Sequence, residues 1–239
     1  MTEPSGFPEV DLLGFIARPT IDDYVRAASQ YIVFTNAITP DPRRRAMSKR
    51  AQLRLSLGLA HVLAHDLREI KPSLNLVVGE HTVGGGLRSV KADLHIFHPQ
   101  DGLRLAVELK PVHLAVGRAI WNRFGDVRTF AVNIHLKFPF AVVGGVLTFP
   151  TMEAKPGAGG GLNTVSTTHL IERALRRFGR VGSRVTEGEA PHMMEAIGVV
   201  VFNPLTAALS TSLPSAESGL RWEQFVANLA DAYEGRFED

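Results

Sequence analysis

Residues 91–110 constrain the fold of this chain more than any other stretch. Residues 91–96 alternate ionisable and apolar side chains, and residues 103–110 do much the same after the turn-forming sequence Pro-Gln-Asp-Gly at 99–102. A period of two is typical of half-buried β-strands, and a short turn between two such strands predicts an antiparallel hairpin. Because one face of this hairpin is apolar, other elements must cover it.

Helical and strand patterns surround the hairpin. Apolar residues recur at helical spacing over residues 48–70 and 114–130, and a cap with acidic first-turn residues opens a helix over residues 20–35. Residues 74–78 and 138–149 have the apolar, β-branched content of strands. A basic helix, a buried strand and a closing helix are predicted at residues 168–180, 197–202 and 220–233. This order predicts an α/β fold with a mixed β-sheet flanked by helices.

The 239 residues suffice for one domain with its own core. We divide residues 1–239 into an N-terminal helical addition (1–46), a core (47–150) and a C-terminal helix-strand-helix extension (151–239). Hydrophobic residues make up 45% and charged residues 21%, which excludes a largely disordered chain. No apolar run reaches the ~20 residues of a membrane helix, and no secretory signal is visible, so we expect a cytoplasmic protein without membrane contacts. With no cysteine, the chain has no disulfides or thiolate metal sites.

The turn sets the register of the hairpin and brings two carboxylates together. If the turn is centred between Gln100 and Asp101, Asp93 faces Glu108. The same register predicts that His98 faces Leu103. One face then carries Lys91, Asp93, His95, Ala106, Glu108 and Lys110, and the other carries Ala92, Leu94, Ile96, Leu105, Val107 and Leu109.

Opposed carboxylates repel each other, and a divalent cation would reverse the sign of that interaction. Mg²⁺ prefers one or two carboxylates together with waters and phosphate oxygens, and Asp93 and Glu108 would supply the two carboxylates. Lys110 projects beside Glu108, where an ammonium group can orient a water or stabilise a phosphoryl transition state. The pattern favours phosphodiester hydrolysis, while a merely solvated polar strand face remains the alternative.

Basic residues suggest a polyanionic partner. The chain has 20 Arg and 6 Lys, and the planar fork of arginine binds phosphate through paired hydrogen bonds. Two clusters predict a DNA-binding face, although an arginine-rich composition or solvated helix faces would produce them too. The clusters are Arg43, Arg44, Arg45, Lys49, Arg50 and Arg54, and then Arg173, Arg176, Arg177, Arg180 and Arg184.

Three histidines are further candidates. His61 and His65 have the four-residue spacing of paired zinc ligands on a helix, although packing explains their apolar neighbours equally simply. His95 shares the predicted carboxylate face, where it would contact substrate or metal or be a plain surface histidine.

The core resembles the PD-(D/E)XK nuclease superfamily, which has the restriction-endonuclease-like fold. Residues 48–150 show its order of helix, three strands, helix and strand, with Asp93 on the second strand and Glu108-Leu109-Lys110 on the third. The resemblance implies that Asp93 and Glu108 bind Mg²⁺, with Mn²⁺ as a substitute, and that the Leu109 carbonyl completes the metal shell. It implies that Lys110 positions the attacking water and that Glu80 assists metal binding.

Two departures from the family pattern bear on the activity. Ala92 stands where the motif has proline, and residues 118–123 lack the Gln-x-x-x-Tyr pattern of the exonuclease branch. The resemblance therefore implies a Mg²⁺-dependent endonuclease for double-stranded DNA, of the restriction or phage-defence type. Because one active site per chain must cut two strands, we also expect a homodimer. The alternatives are a DNA-binding subunit that shares the fold without cutting, and a nuclease that acts on RNA.

Overall fold

The predicted hairpin lies within a six-stranded mixed sheet that has helices on both faces. This is seen in a computed structural model that describes residues 7–37, 42–156 and 161–238. The helices are α1 (Pro8–Leu13), α2 (Ile21–Ala37), α3 (Pro42–Ile70), α4 (Val116–Lys137), α5 (Thr168–Phe178) and α6 (Trp222–Phe237). The strands are β1 (Val77–Gly84), β2 (Ser89–His98), β3 (Gly102–Pro111), β4 (Val142–Pro150), β5 (Met152–Pro156), β6 (Leu162–Ser166), β7 (Ala196–Asn203) and β8 (Ala208–Leu209).

The sheet has the strand order β1-β2-β3-β4-β7-β8. Strands β1, β2 and β3 form an antiparallel meander, whereas β3, β4 and β7 are parallel neighbours. Parallel neighbours require a crossover connection, which α4 provides between β3 and β4. The C-terminal third places β7 directly beside β4, so it completes the sheet. Strands β5 and β6 form a separate hairpin.

Two glycines let helices approach both faces of β4. A side chain at Gly144 would meet Phe225 and Leu229 of α6 at 3.1 to 3.2 Å, and one at Gly145 would collide with Val127 of α4. Successive residues of a strand point to opposite faces, so the pair gives close packing on each side. One core cluster therefore includes α2, α3 and α6, and the other includes α4 and α5.

The predicted mixed α/β class is confirmed, and the differences are local. Helix α4 continues to Lys137, because residues 131–137 keep the helical period that buries Ala131 and Ile134. Strand β1 begins at Val77, later than predicted. Helix α1 and the β5-β6 hairpin were not predicted from the sequence. Among the described residues, no helix is both long and apolar enough to cross a membrane.

The register prediction is correct in the middle of the hairpin and wrong at its turn. Leu94 pairs with Val107, as expected, but an irregularity follows Ile96, so His98 pairs with Gly102 instead of Leu103. Gly102 has φ +76°, which glycine adopts without steric cost. The turn is therefore one residue tighter than predicted.

Candidate active site

Asp93 lies where β2 separates from β3. The described β2-β3 pairing runs from Leu94 to His98, and Asp93 precedes it. Asp93 Oδ2 accepts a hydrogen bond of 2.7 Å from the Leu109 backbone N–H, so its carboxylate replaces a strand carbonyl as the acceptor. Ala92 is buried in the cluster on the α4 side, in contrast to the prediction that it shares a face with Leu94. The strand therefore changes its course at Asp93.

A bulge in β1 brings Glu80 to the same region. Val78 pairs with Leu94 and His81 with Ala92, so β1 contains one extra residue between these pairs. Gly79 has φ +111° within this segment. Bulges redirect side chains and are frequent beside active sites. Glu80 is exposed, forms an ion pair with Lys91 and borders the same cleft as Asp93.

Glu108 and Lys110 project from the central strand β3. Glu108 is only 7% exposed, and its Oε1 forms an ion pair with the Lys110 ammonium. Burial raises the pKa of Glu108 to about 7; the charge of Lys110 opposes this rise, and the charges of Asp93 and Asp126 add to it. One lysine therefore does not offset the burial of this carboxylate.

Asp93 has the same imbalance in a weaker form. Burial raises the pKa of Asp93, while the hydrogen bond from the Leu109 amide and the charge of Lys110 lower it. The charge of Glu80 raises it further. Both carboxylates are thus short of positive charge, which a cation between them would supply.

These residues border two adjoining clefts. The carboxylate cleft has a volume of about 400 Å³ and lies between β1, β2, β3 and α4. The α3 cleft has a volume of about 300 Å³ and extends towards Lys49, Gln52 and Ser56 of α3. The two clefts share four charged residues, namely Glu80, Asp93, Lys110 and Arg123.

The donor set fits Mg²⁺ better than a transition metal. Within the described ranges, no group of three or more His, Asp or Glu side chains is arranged to hold a metal ion. Mg²⁺ needs only one or two carboxylates, because it keeps several waters. Asp93, Glu108 and the Leu109 carbonyl are the residues that would hold it.

The α3 basic cluster divides between two places. Lys49 borders the α3 cleft, and Arg45 and Arg50 are exposed on the same helix. Arg54 instead forms an ion pair with Asp11 of α1, away from the carboxylates. The side chains of Arg43 and Arg44 lie outside the described part of the structure.

The second basic cluster forms a stripe beside α4. On α5, the buried residues Ile171, Ala174 and Phe178 face the core. The Arg177 guanidinium lies over the ring of Trp121 on α4, at 4.6 Å from its centroid. Arg184 does not belong to the stripe, because it is buried and bound to Glu195. The exposed members are Arg173, Arg176, Arg177 and Arg180.

Several site residues were not singled out from the sequence. Arg88 borders the carboxylate cleft from the β1-β2 turn, and Arg123 and Asp126 border it from α4. Arg123 Nη1 lies 2.9 Å from Asp126 Oδ2. Their i, i+3 spacing places them on one helix face, but only packing decides that this face meets β3.

The three candidate histidines do not border the carboxylate cleft or the α3 cleft. His95 is buried and stacks on His81 with ring centroids 4.7 Å apart, and burial lowers the pKa of His95. His65 Nδ1 lies 3.3 Å from the Asp66 carboxylate, and His61 borders a different cleft near Arg54.

The arrangement places two carboxylates, which have too few cationic partners to offset their burial, beside a lysine and an arginine around an open cleft. Such a set is able to bind a divalent cation and a phosphate together. No protein-family model, curated protein or solved structure matches this chain.

Proposed function

We propose that this protein is a Mg²⁺-dependent endonuclease that hydrolyses phosphodiester bonds of double-stranded DNA. The observation that carries the proposal is the convergence of Asp93, Glu108 and Lys110 on one cleft, with both carboxylates short of positive charge. The core would be of the restriction-endonuclease-like type, and the biological role would be restriction or phage defence. When bound, Mg²⁺ supplies charge neutralisation at the phosphate and lowers the pKa of water.

The chain's own residues hold and orient the reactants. Asp93 is held in place by the Leu109 amide, and its side chain borders the cleft. Lys110 already contacts Glu108 and is positioned to hold a water or a phosphate oxygen beside it. Arg123 and Arg88 border the same cleft and would neutralise the flanking phosphates.

The wider basic surface would bind the DNA backbone. Lys49 extends the charged lining along α3, and the α5 stripe adds four exposed arginines beside α4. Binding through such contacts releases counterions, so affinity should fall steeply with salt concentration. The described residues of each chain form a single carboxylate cleft, and we propose a homodimer so that both strands are cut. A monomeric mass at the working concentration would contradict the dimer.

The test is incubation of the purified protein with supercoiled plasmid, linear duplex, single-stranded DNA and RNA, in Mg²⁺ and in EDTA. Glu108→Gln is the decisive variant, and Glu217→Gln, an exposed glutamate outside the cleft, is its matched control. We expect Mg²⁺-dependent duplex fragments from the native chain and the control. Glu108→Gln should lower the rate roughly 10³-fold, which corresponds to several kcal/mol of transition-state stabilisation.

Other outcomes would replace the proposal. If all DNA stays intact while a gel shift persists in EDTA, the protein is a DNA-binding subunit. If only RNA is cut, the same site acts on the other polymer. Full activity of Glu108→Gln would show that the hydrolytic site lies elsewhere.

A further inference from the structure

A third cleft lies beyond the end of β3. This β5 cleft has a volume of about 550 Å³ between the C-terminal part of α2, the loop that leads into α4, and β5. His113 borders both this cleft and the α3 cleft, so the two adjoin at that residue. His113 is held there by a hydrogen bond of 2.9 Å between its Nε2 and the Tyr24 hydroxyl. The β5 cleft is therefore a neighbour of the candidate active site, separated from it by His113.

Glu153 is the unusual residue of the β5 cleft. Its side chain is 7% exposed, and its Oε1 lies 2.9 Å from the ammonium of Lys155, which is itself more than half exposed. Its Oε2 is buried and, among the described residues, has no hydrogen-bond partner. Native structures rarely leave a buried carboxylate oxygen without a donor. Glu153 borders the β5 cleft, so a ligand bound there is one source of the N–H or O–H donor that this oxygen lacks.

The remaining lining defines the rest of that ligand. Arg118 lies in the first turn of α4, and this helix has no side-chain cap at its N-terminus, where an anion is favoured. Ile32 and Leu114 supply apolar surface for a flat ring. A ligand with an anionic group, a flat ring and an N–H donor meets all three conditions. A nucleotide has these three features.

We infer that the β5 cleft receives one unstacked nucleobase of the DNA strand that is cut, and that Glu153 accepts a hydrogen bond from its exocyclic amino group. This inference rests on the proposed function and adds a base-specificity residue to it. Adenine, cytosine and guanine carry such an amino group, whereas the one N–H of thymine, at N3, is flanked by two carbonyl oxygens that repel a carboxylate, so thymine is disfavoured at this position. Lys155 offsets the repulsion between Glu153 and the DNA backbone.

The position of the selected base follows from the chain path. His113 is three residues beyond Lys110, which is about 10 Å along an extended segment. The base therefore lies within a few nucleotides of the scissile phosphate. A base enters such a cleft only after it has left the stack, as at a flipped-out nucleotide.

The experiment uses a randomised duplex library. The native chain is incubated with it in Mg²⁺, and the ends of the products are sequenced. In parallel, Glu108→Gln selects bound duplexes in EDTA, so that binding is read without cleavage. We expect thymine to be depleted roughly tenfold or more at one position near the cut, the effect of one hydrogen bond to a charged group.

Three variants assign the depletion to Glu153. In Glu153→Gln the depletion should disappear, whereas Glu217→Gln should keep it. Because Glu153 is buried, a thermal melt checks that the Glu153→Gln variant is folded. Ala154→Leu narrows the same cleft without removing a charge and should weaken the depletion independently.

The outcomes separate this inference from the proposed function. Cleavage without any thymine depletion overturns the inference and leaves the nuclease intact. A depletion in the bound duplexes without any cleavage supports the inference and overturns the nuclease. If depletion persists in both Glu153→Gln and Ala154→Leu, another part of the chain reads the base.

Discussion

Two buried glutamates near the central strands of the sheet have pKa values that are shifted in opposite directions. Glu108 is 7% exposed and Glu195 is 4% exposed. Burial raises the pKa of Glu108 to about 7 because one lysine is its only cationic contact among the described residues. Burial would raise the pKa of Glu195 as well, but His135, Arg236 and the Val143 amide lower it to about 2.

The difference lies in the number of partners. Glu195 Oε1 lies 2.8 Å from Arg184 Nη1 and 2.7 Å from Arg236 Nη2, and its Oε2 accepts a hydrogen bond of 2.7 Å from the Val143 N–H. Glu195 is therefore fully compensated and joins α6 to the sheet. Glu108 is under-compensated beside an open cleft, as is typical of functional carboxylates.

The largest expected effect is on stability. Glu195→Gln leaves two arginines without their carboxylate and should lower the free energy of unfolding by about 3–5 kcal/mol. At pH 4.5, Glu108→Gln should change it by less than about 1 kcal/mol, since Glu108 is already neutral in the folded state at that pH. Urea unfolding in EDTA measures both. Equal losses in the two variants would refute the distinction between them.

The pH dependence of the free energy of unfolding should also distinguish Glu108 from Glu195. The folded pKa of Glu108, about 7, exceeds its ordinary value of 4.5, so its stabilising contribution is complete below pH 4.5 and is lost as pH rises through 7. Between pH 7 and 4.5 in EDTA, the native chain should gain about 3 kcal/mol relative to Glu108→Gln. Denaturant midpoints at each pH measure this gain, with Glu217→Gln as the control. Parallel curves for the native chain and Glu108→Gln would contradict the raised pKa.

Glu195 should show the opposite sign at lower pH. Its folded pKa of about 2 lies below its ordinary value of 4.5, so its stabilising contribution is present above pH 4.5 and is lost as pH falls towards 2. Burial lowers the pKa of His113 to about 4, and its contribution is lost as pH falls from 6.5 to 4. His113→Gln removes the contribution of His113, so the stability that this variant still loses as pH falls from 4.5 towards 2 should come from Glu195. If His113→Gln lost no stability in that pH range, Glu195 would not have the lowered pKa that its partners imply.

Metal addition should stabilise only the under-compensated site. At a Mg²⁺ concentration 100 times its Kd, binding to the native fold adds about 2.7 kcal/mol to the free energy of unfolding. Glu108→Gln should lose most of this gain and Asp93→Asn part of it. Melting temperatures with Mg²⁺, Mn²⁺ and EDTA measure the effect. An equal rise in Glu108→Gln would place the metal elsewhere.

The smallest expected effect is on the salt dependence of DNA affinity, in which two cations of α3 should differ. Lys49 borders the α3 cleft, whereas Arg54 is occupied by Asp11. Lys49→Ala should reduce the slope of log affinity against log salt by about 0.9, the value for one phosphate contact. Arg54→Ala should leave that slope unchanged. Fluorescence anisotropy with labelled duplex at several salt concentrations tests both, and equal slopes for all three proteins would exclude Lys49 from the proposed DNA interface.

The hairpin and its carboxylates were predictable because they depend on local rules. A period of two and a short turn place Asp93 near Glu108 without knowledge of the remaining chain. The bulge at Glu80 and the change of course at Asp93 were not predictable in detail. They depend on how β1 pairs with β2 and on the bond from the Leu109 amide.

Long-range contacts account for the residues that the sequence did not identify. Arg123 reaches the cleft because α4 packs on β3, and Arg54 leaves it because α1 supplies Asp11. Arg184 has the same charge as the other arginines of its cluster in the sequence, yet it is buried against Glu195. A charge count therefore overestimates the basic surface.

The sequence by itself determined the alternation of residues 91–110, most of the helices, the mixed α/β class and the two carboxylates. These follow from periodicity, which acts between residues close in the chain. Only the tertiary structure decided which charges are compensated, since partners such as Arg236 and Glu195 are far apart in sequence. The same packing created the β5 cleft with Glu153, because a cleft between α2, α4 and β5 exists only after these elements assemble.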